Sequence, residues 1–233
     1  MRKMVVISAF VLIFAGLLNG EGAKADETSY KRWEELVKRS GRVLSEVQKM
    51  PDEAIPEDLL RKCSAVAVFP DTVSAGLGIG GKYGQGIIMA RDSRGRWSPP
   101  AVFSLAGLSM GMQIGGQATD IVLLIMGRRS VEAVLDGKFK LGVDAAVAAG
   151  PVGRDAQAAT DASLGGILSY SRTRGLFIGV KLEGDIITEH WDGNERLYGK
   201  EVSAKEILLK NKVRMPGSAD AVMEVLKRYP REG

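Results

Sequence analysis

Apolar side chains between Tyr30 and Met50 stand at Trp33, Leu36, Val37, Val43, Leu44, Val47 and Met50, mostly three and four residues apart. That is the period of one face of an α-helix, and Pro51 ends it. A Pro-rich turn and a short helical stretch through Leu60 follow, and then the period changes. Ala65–Phe69 is a continuous apolar run closed by Pro70 and Asp71, the pattern of a buried strand and turn. Residues 76–90, 102–116, 120–126, 139–149, 167–170 and 176–187 also read as strands or hairpin arms. Residues 188–193 read as a strand end entering a turn. Only Ser130–Asp136 looks helical among them, with Gly137 in place for a C-cap. Two helical pieces, 203–212 and 218–228, close the chain around Met215-Pro216-Gly217.

Helix, then many strands, then helices is not βαβ alternation. The expected fold class is α+β: a curved, mainly antiparallel, glycine-rich sheet or barrel-like core with an N-terminal amphipathic helix and C-terminal helices. The segments are a leader over 1–25 and one domain over 26–233, comprising the helix 30–50, a β-rich body 60–200 and helices over 203–229.

The leader follows from its pattern. Arg2 and Lys3 precede an uncharged run from Met4 to Leu18, and Ala23-Lys24-Ala25 places small residues before Asp26. These are the parts of a secretory signal peptide, and the run falls short of the ~20 residues a spanning helix needs. Cleavage near Ala25 predicts a periplasmic or secreted protein, with peripheral membrane association open to it.

Cleavage also changes the charge. The 233 residues carry +4, but 1–25 hold Arg2, Lys3, Lys24 and Glu21, so 29 basic and 27 acidic side chains remain, a net +2. Binding to bulk nucleic acid needs far more uncompensated Lys and Arg, so no nucleic-acid partner is expected. Positive charge gathers instead on the first helix. Lys31, Arg32, Lys38, Arg39, Arg42 and Lys49 stand against Glu34, Glu35 and Glu46. A basic amphipathic helix with a Trp near its start is suited to an anionic membrane surface, or to packing its stripe on the domain.

Chemistry-bearing residues are few. One Cys and one His exclude an internal disulfide and a Cys/His zinc site, and neither a metal nor a cofactor is expected. Gly76, Gly78 and Gly81 match G-x-G-x-x-G, and Gly76–Lys82 match the start of a P-loop. Tyr83 then stands where Ser or Thr would hold magnesium, and Ile87-Ile88 favour a strand over the helix a phosphate site needs. Gly107-Leu108-Ser109-Met110-Gly111 matches the elbow of a serine hydrolase, with His190 in the right chain order to serve it. Ser109 and His190 are therefore the alternative catalytic pair. The residues after Ser109 make a poor helix start, however, and no catalytic residue is the primary expectation. Asp120 and the Arg154–Asp155 pair read as turn-holding groups. Basic turns at Arg91, Arg94 and Arg96, at Arg128-Arg129, at Lys138 and Lys140, and at Arg172, Arg174 and Lys181 are candidate phosphate contacts.

Glycine, 29 of the 233 residues, is in excess. Residues 76–88 align without gaps on 175–187 with seven of thirteen positions identical. Two equivalent hairpins in one curved sheet would explain the echo, with glycine where strands bend.

The motifs taken together, Gly80-Gly81-Lys82-Tyr83-Gly84-Gln85-Gly86, Trp97-Ser98-Pro99-Pro100, residues 113–120 (QIGGQATD), 147–154 (VAAGPVGR) and 168–177 (LSYSRTRGLF), occur in the order found in the SYLF domain, which the chain resembles over roughly 30–200. The resemblance implies a lipid-binding, non-enzymatic module. Eukaryotic SYLF members bind phosphoinositide membranes, some also actin, and often carry SH3 or FYVE modules. A signal peptide would separate this chain from cytosolic actin, so actin is not an expected partner. The expected partner is an anionic phospholipid membrane in the cell envelope, with an envelope protein as the alternative. Trp33, Leu36 and Val37 are the candidate inserting residues, and Lys31, Arg32, Lys38, Arg39 and Arg42 the candidate headgroup contacts.

Overall fold

The computed structural model describes residues 27–50, 54–153, 166–173 and 175–231. The expected leader, Arg154–Asp155 and Arg174 lie outside them. Helix α1 covers residues 27–48, and α2 covers Glu57–Lys62. Two long strands follow, β1 (Ala65–Ala90) and β2 (Ala101–Ile125), then α3 (Arg128–Leu135), β3 (Phe139–Lys140), β4 (Val147–Ala149), β5 (Ile167–Thr173), β6 (Leu176–Gly179) and β7 (Ile186–Glu189). Helices α4 (Trp191–Tyr198), α5 (Ala204–Leu208) and α6 (Asp220–Leu226) complete the order.

The fold is α+β, a curled, mixed but mostly antiparallel sheet forming a half-barrel between helices. β1 and β2 pair along their whole length. One end of β2 adds β5, and the other adds β7 and then β3. Among the described strands only β4 and β5 run parallel. The expected separate strands 65–69 and 76–90 are one strand. Pro70 cannot donate to a ladder, and the chain accommodates it as a bulge rather than a turn. Register shifts between Phe69 and Thr72, and Asp71 takes a φ of 51°.

Alternation along β1 and β2 sends side chains to two cores. Val66, Val68, Ile87, Met89, Val102, Val122 and Leu124 meet α1, α2 and α6 on one face. Phe69, Ile88, Phe103, Leu105, Ile121 and Leu123 meet α3 and α5 on the other. The second core exists because β1 doubles back on itself. A Cβ on Gly86 would lie 2.2 Å from the Val68 carbonyl oxygen, and one on Gly84 2.2 Å from Thr72 Oγ1. Glycine is what allows the two ends of one strand to approach this closely.

Two expectations are corrected. The echoing segments are not equivalent hairpins: 76–88 lies inside β1, whereas 175–187 breaks into β6, a turn with Gly184 at a φ of 84°, and the start of β7. The stretch after Glu189 is helix α4 instead of a turn. Its caps explain it: the His190 ring accepts a hydrogen bond from the Gly193 amide, and Gly199 ends the helix in the left-handed conformation.

Candidate functional site

Helix α1 carries the predicted lipid contacts, and burial divides them. Trp33, Leu36 and Val37 are 2%, 4% and 0% exposed, packed in the first core. They do not face a membrane in this arrangement, because the half-buried sheet offers their stripe an apolar partner already. Ser40, in the middle of that stripe, returns its hydroxyl hydrogen to the Leu36 carbonyl at 2.9 Å.

The cations lie on the other side. Lys31 and Lys38 are exposed. Lys31 pairs with Glu27 at 2.7 Å, Arg42 with Glu35 at 2.6 Å, and Arg39 reaches Asp71 in the β1 bulge at 2.8 Å. Lys38 has no ion pair among the described residues. Hydrogen bonding to Arg42 holds the Glu35 carboxyl below its usual range. Pairs this exposed contribute little to stability, so their cations remain open to exchange partners. Arg32 donates to Gln85 Oε1 at 2.8 Å and lies 5.0 Å from the Trp33 ring centroid.

Gln85, which the sequence did not single out, joins α1 to His190. Its Nε2 lies 3.0 Å from His190 Nε2 and 3.3 Å from the Tyr83 hydroxyl, which in turn meets Ser104 Oγ at 3.3 Å. His190 Nδ1 accepts from the Gly193 amide at 3.0 Å. In the neutral ring that leaves Nε2 as the N–H, which needs the Gln85 oxygen opposite it. The same oxygen is the acceptor for Arg32, so one carboxamide orientation satisfies Arg32 and the flipped one His190. Burial lowers the His190 pKa. This histidine caps a helix and abuts Trp33. Ser109 sits within β2 opposite Gly80, and the chain after it continues as strand to Ile125. No strand-to-helix elbow forms, so the serine-hydrolase geometry is absent.

The polar residues of the remaining motifs hold the fold. Asp120 accepts from the Asp71 amide at 3.0 Å and pairs with Arg172 at 2.6 Å, and Arg172 also pairs with Glu46 of α1. Asp120 is structural, as its sequence context predicts, but it holds the β1 bulge rather than a turn. Lys82 pairs with Asp185 at 2.6 Å, their side chains only 12% and 3% exposed. A Cβ on Gly107 would lie 1.8 Å from Asp185 Oδ1, so glycine makes room for this pair. Arg91 is buried, donates to the carbonyls of Leu60, Arg61 and Tyr229, and lies 4.4 Å from the Trp97 ring centroid. Among the other candidate phosphate contacts, Arg96 is engaged by Asp92, Arg128 by Glu132 and Lys181 by Glu183.

A shallow hollow of about 450 Å³ at the start of α1 is lined by Glu27, Tyr30, Asp192, Glu195, Arg196 and Gly199. Three carboxylates make it unsuited to an anionic headgroup. Among the described residues no three His, Cys, Asp or Glu side chains converge as a metal site, and no helix is long and apolar enough to cross a membrane.

Residues 106–229 match the Ysc84 family, described as Las17-binding protein actin regulator. The chain belongs to the Ysc84 family. An SH3 domain-containing protein of Schizosaccharomyces pombe is 38% identical over 178 residues, 75% of this chain and 41% of that protein. LAS seventeen-binding protein 3 of Saccharomyces cerevisiae is 36% identical over 180 residues, 76% of this chain and 39% of that protein. SH3 domain-containing YSC84-like protein 1 of Homo sapiens is 32% identical over 207 residues, 84% of this chain and 60% of that protein. The chain thus spans about two-fifths to three-fifths of these Ysc84-family relatives. Members of the family are named for binding and regulation, not for catalysis.

Proposed function

We propose that this Ysc84-family chain is a non-enzymatic module that binds anionic phospholipid at a membrane surface in the cell envelope. The observation that carries the reading is the outward face of α1, where Lys31, Lys38 and Arg42 are exposed while the apolar stripe is turned inward. Lys31, Arg32, Lys38, Arg39 and Arg42 are the proposed headgroup contacts, each worth about 1 kcal/mol beside an anionic surface. Trp33, Leu36 and Val37 hold α1 to the sheet in this reading. Six cations against three carboxylates on residues 30–50 give modest, salt-sensitive attraction.

Vesicle flotation at low and high salt tests it. Binding to phosphatidylglycerol-containing vesicles that weakens with salt and is absent on neutral phosphatidylcholine supports the proposal. Equal recovery on both vesicle types defeats it. The family description favours a second reading, a protein-binding module, because it names Las17 binding and actin regulation. Capture of a membrane-extract protein after lipid removal, by a chain that fails to float, would favour that one.

A further inference from the structure

Thr72 and Gly84 are in contact, and Thr119 and Leu105 pair with them on β2. The ribbon between these points, residues 73–83 with 106–118, therefore leaves the body of the protein and returns to it. Register places Val73 opposite Ala118, Gly81 opposite Leu108 and Tyr83 opposite Ala106. Directly paired residues share a face of a ribbon. These positions continue the face of β1 and β2 that carries Val68, Ile87, Met89 and Val102 under α1. Beyond α1 the face is uncovered: Val73 is 53%, Tyr83 52% and Leu108 74% exposed.

Charge distinguishes this arm from the rest of the surface. Residues 72–81 and 106–119 contain no Asp, Glu, Lys or Arg. Lys82 turns to Asp185, and the two acids at the foot, Asp71 and Asp120, are each paired with an arginine, Arg39 and Arg172. Arg39 belongs to the cationic face of α1, with exposed Lys38 beside it in sequence. An uncharged apolar projection rooted beside cations is complementary to an anionic lipid surface, apolar to acyl chains and cationic to headgroups.

We propose that this folded-back β-ribbon, and not α1, is the part of the protein that enters the lipid, an inference resting on the lipid-binding reading above. About five residues separate foot from apex, a reach of roughly 17 Å at the strand rise. Among the described residues β1 pairs only with β2, and β2 pairs with β5 beyond the arm and with β7 no further into it than Ala106 at the foot. Both edges of the arm thus keep unpaired amides and carbonyls, which the hydrocarbon interior does not tolerate. The arm accordingly rests at headgroup depth and dips Val73 and Leu108 below it.

The test uses the full chain with Leu108→Cys carrying an environment-sensitive fluorophore. Cys63 is fully buried, so the introduced thiol is the reactive one. Val143→Cys, also at an exposed apolar position but far along the chain, is the control. The expected result is a blue shift at position 108, but not at 143, on phosphatidylglycerol-containing vesicles, and a Val73→Glu/Leu108→Glu variant partitioning at least about tenfold more weakly. If the wild-type chain floats while the position-108 probe does not shift and the double variant binds equally, the arm is excluded and the lipid reading stands. Failure of the wild-type chain to float removes both. A wild-type dimer by light scattering that the double variant abolishes, with no probe shift on vesicles, assigns the face to a second copy of the chain and overturns the proposal. The probe decides even where the double variant does not fold.

Discussion

The Trp33 indole and the His190 imidazole lie with ring centroids 4.7 Å apart and planes tilted by 58°. The contact ties α1 to the start of α4, where His190 Nδ1 accepts the Gly193 amide hydrogen. A protonated ring can no longer accept that bond; Asp192 favours its charge and Arg32, more weakly, opposes it, but burial outweighs both. Burial lowers the folded-state pKa of His190. Stability from the neutral ring is therefore complete above the unfolded pKa of about 6.5 and is lost as pH falls toward the lower folded value. Burial raises the pKa values of Asp185 and Glu189, which act with the opposite sign. The difference between wild type and His190→Asn, which keeps an acceptor, isolates the histidine. Thermal melts from pH 7.5 down to pH 5 are expected to show the wild type losing more stability on acidification than the variant.

Lys82 and Asp185 form a buried pair whose halves are unequal to lose. Lys82→Met leaves a desolvated carboxylate and is expected to cost about 3 kcal/mol or more. Adding Asp185→Asn removes the charge and recovers part of that loss, a coupling that urea denaturation of the two singles and the double will measure. The penalty of Lys82→Met should also shrink as pH falls, because the orphaned carboxyl then takes up a proton.

Gly86 and Gly81 share β1 but not surroundings. A Cβ at Gly86 meets the Val68 carbonyl at 2.2 Å and the Phe69 ring at 2.6 Å, whereas nothing lies within 4 Å of one at Gly81. Gly86→Ala is expected to destabilise by about 1–3 kcal/mol by forcing the fold-back apart, and Gly81→Ala to stay within about 0.5 kcal/mol. Equal denaturation midpoints for the two would contradict the doubling of β1.

Lys31→Glu, Lys38→Glu and Arg42→Glu together reverse the outward face of α1 without touching its buried stripe. Partition onto anionic vesicles is expected to fall by at least about tenfold with thermal stability little changed, since exposed pairs contribute little to folding. Unaltered flotation would remove α1 from headgroup contact.

Ser109→Ala is expected to leave any esterase background of the purified chain unchanged, and a serine-directed probe to leave it unlabelled. Ser109 follows the G-x-S-x-G spacing, but its backbone is in mid-strand opposite Gly80. A nucleophile elbow needs the sharp strand-to-helix turn that this backbone does not make.

Local periodicity was enough to read α1, the pieces of the sheet, α3 and the C-terminal helices, and with them the α+β class, because each depends on which side chains recur every two or every three to four residues. Helix α4 escaped that reading. Gly193 and Asn194 weaken its propensity, and its first turn is held by a side chain, His190, whose position depends on Trp33 and Gln85 from elsewhere in the chain. The Gly199 cap was the one local sign of its end.

By itself the sequence determined the amphipathic stripe of α1, the family motifs, and glycine-rich strand segments over 76–90 and 102–116. Tertiary structure alone decided that the stripe faces inward, that Lys82 meets Asp185 across more than a hundred residues, and that β1 folds back to leave Val73 and Leu108 uncovered. The reason is physical. Periodicity records that a face is apolar, but what covers that face depends on contacts between segments distant in the chain.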